Sequence, residues 1–241
     1  MTPEDFNLIR KVLRDRSGLV LGDEKAYLLE SRLMPVARKH GLAGLDDVVK
    51  KIRSAPAESF LVDITEAMTT NESFFFRDVK PFDLFRDNIL KDLIASRAGK
   101  KSFRIWCAAA SSGQESYSLA ILLKEAAAQL AGWRTEIIGT DISKEILNRA
   151  KEGKYSQFEV QRGLAIQLLV KYFTKEGEHW RISQDLRNMV NFREFNLLDD
   201  FAPLGKFDVV FCRNVLIYFD LETKQKVLWR PNRRSWNQSQ V

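Results

Sequence analysis

The chain is expected to fold as an α/β protein, with an all-helical N-terminal domain (residues 1–68) followed by a doubly wound parallel-sheet domain (residues 69–241). Three observations predict this. Up to Met68 apolar side chains recur only at helical spacing. From about residue 103 strand-like apolar runs alternate with helical ones, the pattern of βαβ units. Between about residues 155 and 195 that rhythm breaks into short alternating pieces, which read as a small inserted antiparallel β hairpin.

Taken in order, Thr2 can cap a first helix and Pro3 suits its first turn, with Phe6, Ile9, Val12 and Leu13 on one face. Lys25 to Lys39, Leu45 to Arg53 and Glu58 to Met68 are predicted helices, separated by Gly41, Gly44 and Pro56. After TTNESFFFRD comes a helix from about Pro81 to Ser96. FRIWCA (103–108) is a strand, a polar turn leads to a helix from Gln114 to Leu130, and TEIIGTDI (135–142) is a second strand with its own following helix. QLLVKYF is helical, and HWRIS and NMVNF are short alternating segments. KFDVVFCRN (206–214) is apolar on both sides, as a central strand covered on two faces would be.

Composition narrows the function classes. A hydrophobic fraction of 45% with 29% charged residues is that of a globular chain, and no apolar run is long enough to span a bilayer. The N-terminus lacks the basic start and apolar stretch of a secretory signal, so a cytoplasmic protein is expected. Cys107 and Cys212 form no CxxC pair and are expected as buried free thiols. His40 and His179 are the only histidines, which leaves little material for a metal site or a Ser-His-Asp triad, and no metal is expected. The net charge of +6 is compatible with an acidic partner and short of a nucleic-acid signature. Arg10, Lys11 and Arg14 read as a solvated helix face.

The chemistry is expected at the turn AAASSGQES, whose backbone amides open a helix and favour a negative group. It has one glycine where a dinucleotide fingerprint has three, so a pyrophosphate has less room. Glu115 lies at the mouth of the turn, and Asp141 ends the second strand, where an acidic side chain commonly takes ribose hydroxyls. Together they suggest a nucleoside cofactor without a pyrophosphate, as S-adenosylmethionine is. An ordinary strand-to-helix turn is the alternative.

TTNESFFFRD, IWCAAASSGQESYSLA and FDVVFCRNVLIYFD, in that order, resemble the motifs of the chemotaxis receptor protein-glutamate O-methyltransferase (CheR) family, and the resemblance runs from the N-terminus to about Leu228. It implies a Rossmann-like methyltransferase sheet, with S-adenosyl-L-methionine as cofactor and S-adenosyl-L-homocysteine as product. It also implies that Asn71, Ser73, Arg77, Glu115, Asp141, Asn196, Leu197, Arg213 and Asn214 line the cofactor pocket, with Asp141 on the ribose and Asn196 near the adenine. Ser73 and Ser116 stand where the family often has threonine and proline.

A glutamate carboxylate is ionised at neutral pH, so its attack on a sulfonium methyl needs alignment and desolvation and no general base. Arg77 is the candidate to orient that carboxylate, assisted by the Tyr218 hydroxyl; a structural ion pair and a packing tyrosine are the alternative. Phe74, Phe75 and Phe76 read as core rather than as cofactor-stacking residues.

By the same resemblance the partner is the cytoplasmic helical bundle of chemoreceptors, met by basic residues such as Arg32, Arg38 and Lys39 of a monomer, with no nucleic acid and no membrane insertion. The short segment FTKEGEHWRIS argues against tight tethering to a receptor-tail peptide.

After Leu228 the family pattern stops, and residues 229–241 form an atypical tail without strand or helix periodicity. The C-terminal strands of the family's seven-stranded sheet are therefore expected to be missing, leaving four and an open apolar edge at 206–214. That expectation keeps a truncated, noncatalytic cofactor- or receptor-binding homologue as the alternative. A nucleic-acid methyltransferase lacks its NPPY-type motif here, and a nicotinamide dehydrogenase is disfavoured by the single-glycine turn.

Overall fold

The computed structural model describes residues 2–229, which fall into two compact units. The first comprises residues 2–70, 196–200 and 214–229; the second comprises 71–195 and 201–213. The expected atypical tail beyond Trp229 lies outside the described residues.

The first unit is built on four helices, α1 (Pro3–Ser17), α2 (Tyr27–Lys39), α3 (Leu45–Arg53) and α4 (Glu58–Met68). Thr2 and Asp5 form a reciprocal capping box at the start of α1, and Gly18 ends it at φ +76°. The helix expected from Lys25 starts at Tyr27, because Asp23–Lys25 closes a tight 3-10 turn first. Ile9, Leu13, Leu29, Leu33, Phe60 and Ile64 are fully buried at helical spacing and form the core. Lys11 and Arg14 lie on an exposed helix face, as expected, and with the partly buried Arg10 they make surface pairs to Asp15, Asp220 and Asp23. Arg32 donates to the carbonyls of Met68 and Thr69 at 2.8 and 2.9 Å and so caps the end of α4, while Lys39 pairs with Asp63 and Arg38 is exposed.

The second unit opens with a helix broken by one widened turn: α5 (Lys80–Leu84), a π turn over Phe85–Ile89, and α6 (Leu90–Ser96). Phe82, Phe85, Leu90 and Leu93 are all buried. The five-residue step from Phe85 to Leu90 would leave the buried face of an ordinary α-helix, and the extra residue in the turn restores it.

Then follow β1 (Ser102–Ala108), α7 (Gln114–Glu125), β2 (Arg134–Asp141) and α8 (Lys144–Glu152). The helix expected to reach Leu130 ends at Glu125, and hydrogen-bonded turns carry the chain on to Leu130. A small antiparallel sheet is formed by β3 (Lys154–Ser156), β4 (Phe173–Glu176) and β5 (His179–Ile182) in the order β3-β5-β4, with α9 (Gln157–Gln161) and α10 (Ile166–Tyr172) between the first two strands. The expected hairpin is thus present as β4 and β5, joined by a third strand. After α11 (Gln184–Arg187) comes β6 (Val190–Glu194), which lies within the segment expected as the insertion but pairs in parallel with β2 in the main sheet.

The main sheet closes among the described residues with β7 (Val209–Cys212), in the order β6-β2-β1-β7 and parallel throughout. Ile105 lies level with Ile137 on one side and Val209 on the other. The strand expected over 206–214 is shorter and lies at the edge of these four, with Val209 and Val210 only partly buried. Trp106 is buried against Phe201 and Phe207, and its indole N–H donates to Thr140 Oγ1 at 2.9 Å. The last helix among the described residues, α12 (Leu221–Trp229), belongs to the first unit. No helix among the described residues is long and apolar enough to cross a membrane.

Candidate functional site

In the second unit the chain runs from β1 outward through β2 to β6 on one side and then crosses back to β7 on the other side of β1, so a ligand crevice is expected at the carboxyl end of β1. The residues of the AAASSG turn sit there. Ala109, Ser111 and Gly113 have φ of +59°, +50° and +93°, which turns successive amides inward instead of into a continuing strand. Ala110 N donates to Thr140 O at 2.8 Å, and Ser111 N donates to Asp141 Oδ2 at 2.9 Å. Gly113 is required by more than its dihedral angle. A Cβ there would lie 3.0–3.1 Å from Phe192, Ala150 and Tyr117.

Asp141 ends β2 with 6% exposure, and its two oxygens accept from Ser111 N and from Ser143 N at 3.1 Å. Burial raises its pKa, while the amides of Ser143, Ser111 and Ile142 oppose the rise. With amides on part of its lone-pair directions, the carboxylate keeps capacity to accept from a ligand hydroxyl.

Glu115, in the first turn of α7, is 12% exposed at the side chain and accepts from Arg213 Nη1 at 2.9 Å. Burial pushes its pKa up to about 7, against the opposing charges of Arg213 and Arg77. The native carboxyl therefore binds its proton more tightly than the unfolded one, and stability should fall as pH rises from about 4.5 to 7. Glu115→Gln should remove that loss, shrinking the stability difference between pH 5 and pH 8 by on the order of 2–3 kcal/mol. Denaturant unfolding at both pH values measures it, and an unchanged profile would show that Glu115 titrates normally.

Arg213 follows β7 and bonds three partners: Glu115, the carbonyl of Arg77 at 2.7 Å and Asp78 Oδ2 at 2.7 Å. It thereby ties the segment 71–79 to the turn after β1. That segment carries Phe76, Asp78 and Val79 at positive φ, conformations that non-glycine side chains adopt only when the surroundings impose them. Two further ties hold it, Ser111 Oγ to Asn71 O at 3.0 Å and Phe76 N to Ser118 Oγ at 2.9 Å. Of the three phenylalanines, Phe75 is fully buried, Phe76 is partly buried against Phe82, and Phe74 is half-buried beneath Arg77 and Arg162. Arg77 uses Nη1 on the carbonyl of Glu72 at 2.7 Å, and Ser73 is half-buried beside it in the chain.

The second unit thus brings Asn71, Ser73, Arg77, Glu115, Asp141 and Arg213 to the segments that meet at the carboxyl ends of β1, β2 and β7. Asn196, Leu197, Asn214 and Tyr218 belong to the first unit. There Asn196 Nδ2 donates to Arg16 O at 2.6 Å and its Oδ1 accepts from Leu198 N at 3.0 Å. Leu197 is buried, Asn214 is exposed at φ +57°, and Tyr218 is half-buried, its carbonyl accepting from Val20 N at 2.9 Å.

Reasoning from sequence missed Ser111, Ser118, Asp78 and Tyr155, whose hydroxyl donates to Ser112 O at 2.8 Å. Ser111, Ser118 and Asp78 lie within the quoted motifs, whereas Tyr155 carried no signal. Both cysteines are free; burial raises the Cys107 thiol and pushes Cys212 up to about 12, which makes neither a nucleophile at neutral pH.

The donor set suits a particular ligand. Asp141 can accept from a ribose hydroxyl, Glu115 can accept from an ammonium group, and the turn has no second glycine to admit a pyrophosphate. S-adenosylmethionine has the ribose hydroxyls and the ammonium group and lacks the pyrophosphate.

Comparison with known proteins gives the same class. The family model described as "CheR methyltransferase, SAM binding domain" matches residues 71–236, and "CheR methyltransferase, all-alpha domain" matches residues 4–69. The chain is 41% identical over 230 residues to chemotaxis protein methyltransferase 1 of Pseudomonas aeruginosa, covering 94% of this chain and 83% of that protein. It is 38% identical over 230 residues to chemotaxis protein methyltransferase Cher2 of Pseudomonas putida, with the same coverage. The chemotaxis protein methyltransferase of Escherichia coli is 34% identical over 230 residues, covering 93% of this chain and 77% of that protein.

Proposed function

Because the chain belongs to the CheR methyltransferase family and takes S-adenosylmethionine as its cofactor, we propose that it methylates glutamate side chains of chemoreceptors, giving glutamyl methyl esters. The observation that carries this reading is the cluster of Asp141, Glu115 and Arg213 around the turn after β1, with Arg77 on the segment that Arg213 holds.

S-adenosylmethionine supplies an electrophilic methyl group on a sulfonium when bound. Asp141 holds the ribose hydroxyls, and Glu115 faces the amino group. Asn71, Ser73 and Arg213 shape the same pocket, and the family resemblance gives Asn196, Leu197 and Asn214 roles in cofactor binding as well. Arg77 orients the substrate carboxylate through its forked donors, assisted by the Tyr218 hydroxyl. The carboxylate is already ionised, so no residue needs to remove a proton. Rate comes from placing a carboxylate oxygen in line with the methyl carbon, an effect that contributes about 7–11 kcal/mol in well-oriented reactions. The substrate is the cytoplasmic helical bundle of a chemoreceptor, and the enzyme acts in the cytoplasm as a monomer.

The test is to incubate the 241-residue chain with methyl-labelled S-adenosylmethionine and a purified receptor cytoplasmic fragment. The expected result is label on glutamates, released as methanol by mild alkali. Intact cofactor binding without such label would instead support the noncatalytic reading.

A further inference from the structure

The connection between α9 and α10 packs on the turn that carries Arg77. Arg162 places its guanidinium carbon 4.1 Å from the Phe74 ring centroid, and Arg77 lies 5.4 Å from the same centroid. Arg162 also pairs with the Glu72 carboxylate at 2.8 Å, while the Glu72 carbonyl accepts from Arg77 Nη1 at 2.7 Å. Glu72 is therefore held at its side chain by one arginine and holds the other through its backbone.

The neighbouring residue, Gly163, has φ +85°, and a Cβ on it would stand 2.0 Å from the Phe75 carbonyl oxygen. The backbone of this connection thus lies directly against that of the turn. Phe75 is itself fixed, fully buried with edge-to-face contacts to Tyr155 and Phe173 at 5.0 and 5.4 Å. Arg213 secures the far side of the turn through the Arg77 carbonyl and Asp78.

We propose that Arg162 and Gly163 form a clamp that fixes the Glu72–Arg77 turn and sets the direction of the Arg77 guanidinium, so that Arg162 is a positioning residue for methyl transfer. This rests on the reading that Arg77 orients the substrate carboxylate. The physical case is the misalignment penalty: an arginine fork recognises a carboxylate by direction, and a shift of about 1 Å in a positioned group can cost on the order of 100-fold in rate. A cation stacked on Phe74 and tied to Glu72 removes the freedom by which such a shift would occur.

The test uses the full chain and two independent readouts. In Arg162→Ala, amide hydrogen exchange of residues 71–78 should rise about tenfold, with the core helix α7 unchanged. The turnover number at saturating S-adenosylmethionine should fall about tenfold. Arg162→Lys, which keeps the charge and the pair with Glu72, should restore most of the loss. In an Arg77→Ala background, Arg162→Ala should have no further effect on turnover, since its influence passes through Arg77.

Unchanged exchange at 71–78 would overturn the clamp whatever the kinetics. A loosened turn with normal turnover in Arg162→Ala, beside slow Arg77→Ala, would overturn the positioning role alone. Normal turnover in Arg77→Ala would overturn the role given to Arg77, and the exchange experiment would still decide the clamp.

Discussion

Replacing Asp141 by alanine should abolish saturable binding of S-adenosylhomocysteine and lower the melting temperature of the unliganded protein. The carboxylate serves the fold and the ligand together. It accepts from the amides of Ser111 and Ser143 at a site with 6% exposure. Leaving a buried donor without its acceptor costs about 1–3 kcal/mol, and two are affected. The loosened turn would also lose the geometry that aims Ala110 and Ser111 inward. Asp141→Asn separates the two roles, because its single carbonyl oxygen can keep one amide bond while the NH2 group opposes the other donor. Its stability should fall less than that of the alanine variant, and its cofactor affinity should still fall at least tenfold. Calorimetric titration beside thermal unfolding reads both. A well-folded Asp141→Ala with native affinity would remove Asp141 from the ribose.

Arg77→Ala should reduce the rate of receptor methylation at saturating cofactor by about 100-fold, the scale expected when a reacting group loses its alignment. Arg77 is suited to that work because one N–H is engaged with the Glu72 carbonyl, which leaves donors on the rest of the fork, and because Phe74 lies under the guanidinium. Stability should change little, since the side chain is only half-buried. A normal rate would mean that the arginine is structural. The comparison must be made at saturating cofactor, because the charge of Arg77 also helps to keep Glu115 ionised.

How much of this was legible depended on whether the signal was local. The βαβ order, the turn after β1 and both acidic residues were readable because parallel-sheet sites gather at strand ends, so position in sequence implies position in the site. Val190–Glu194 misled because Val190 and Phe192 alternate with exposed residues, the pattern of a half-exposed hairpin. It has that pattern because it borders the four-stranded sheet. Lys154–Ser156 was too short to carry any periodicity. Arg162 was invisible because its partners, Glu72 and Phe74, lie in a distant motif and are met only through side chains. Arg32 was misread for a related reason. Its charge suggested a partner surface, but its donors go to the end of α4.

The widened turn at Phe85–Ile89 has a consequence for chain length. A single-residue deletion inside an α-helix ordinarily rotates everything beyond it by about 100° and takes buried residues out of the core. Here the surplus residue is already absorbed in the backbone, so deleting exposed Asp87 should convert the π turn to an α turn while Leu90 and Leu93 stay on the buried face. The shortened protein should remain folded by circular dichroism, whereas the equivalent deletion of exposed Lys11 in α1, which would turn Leu13 out of its core, should not. This turn is the one stretch of helix in the second unit, among the described residues, where the sequence can shorten by one and keep its register.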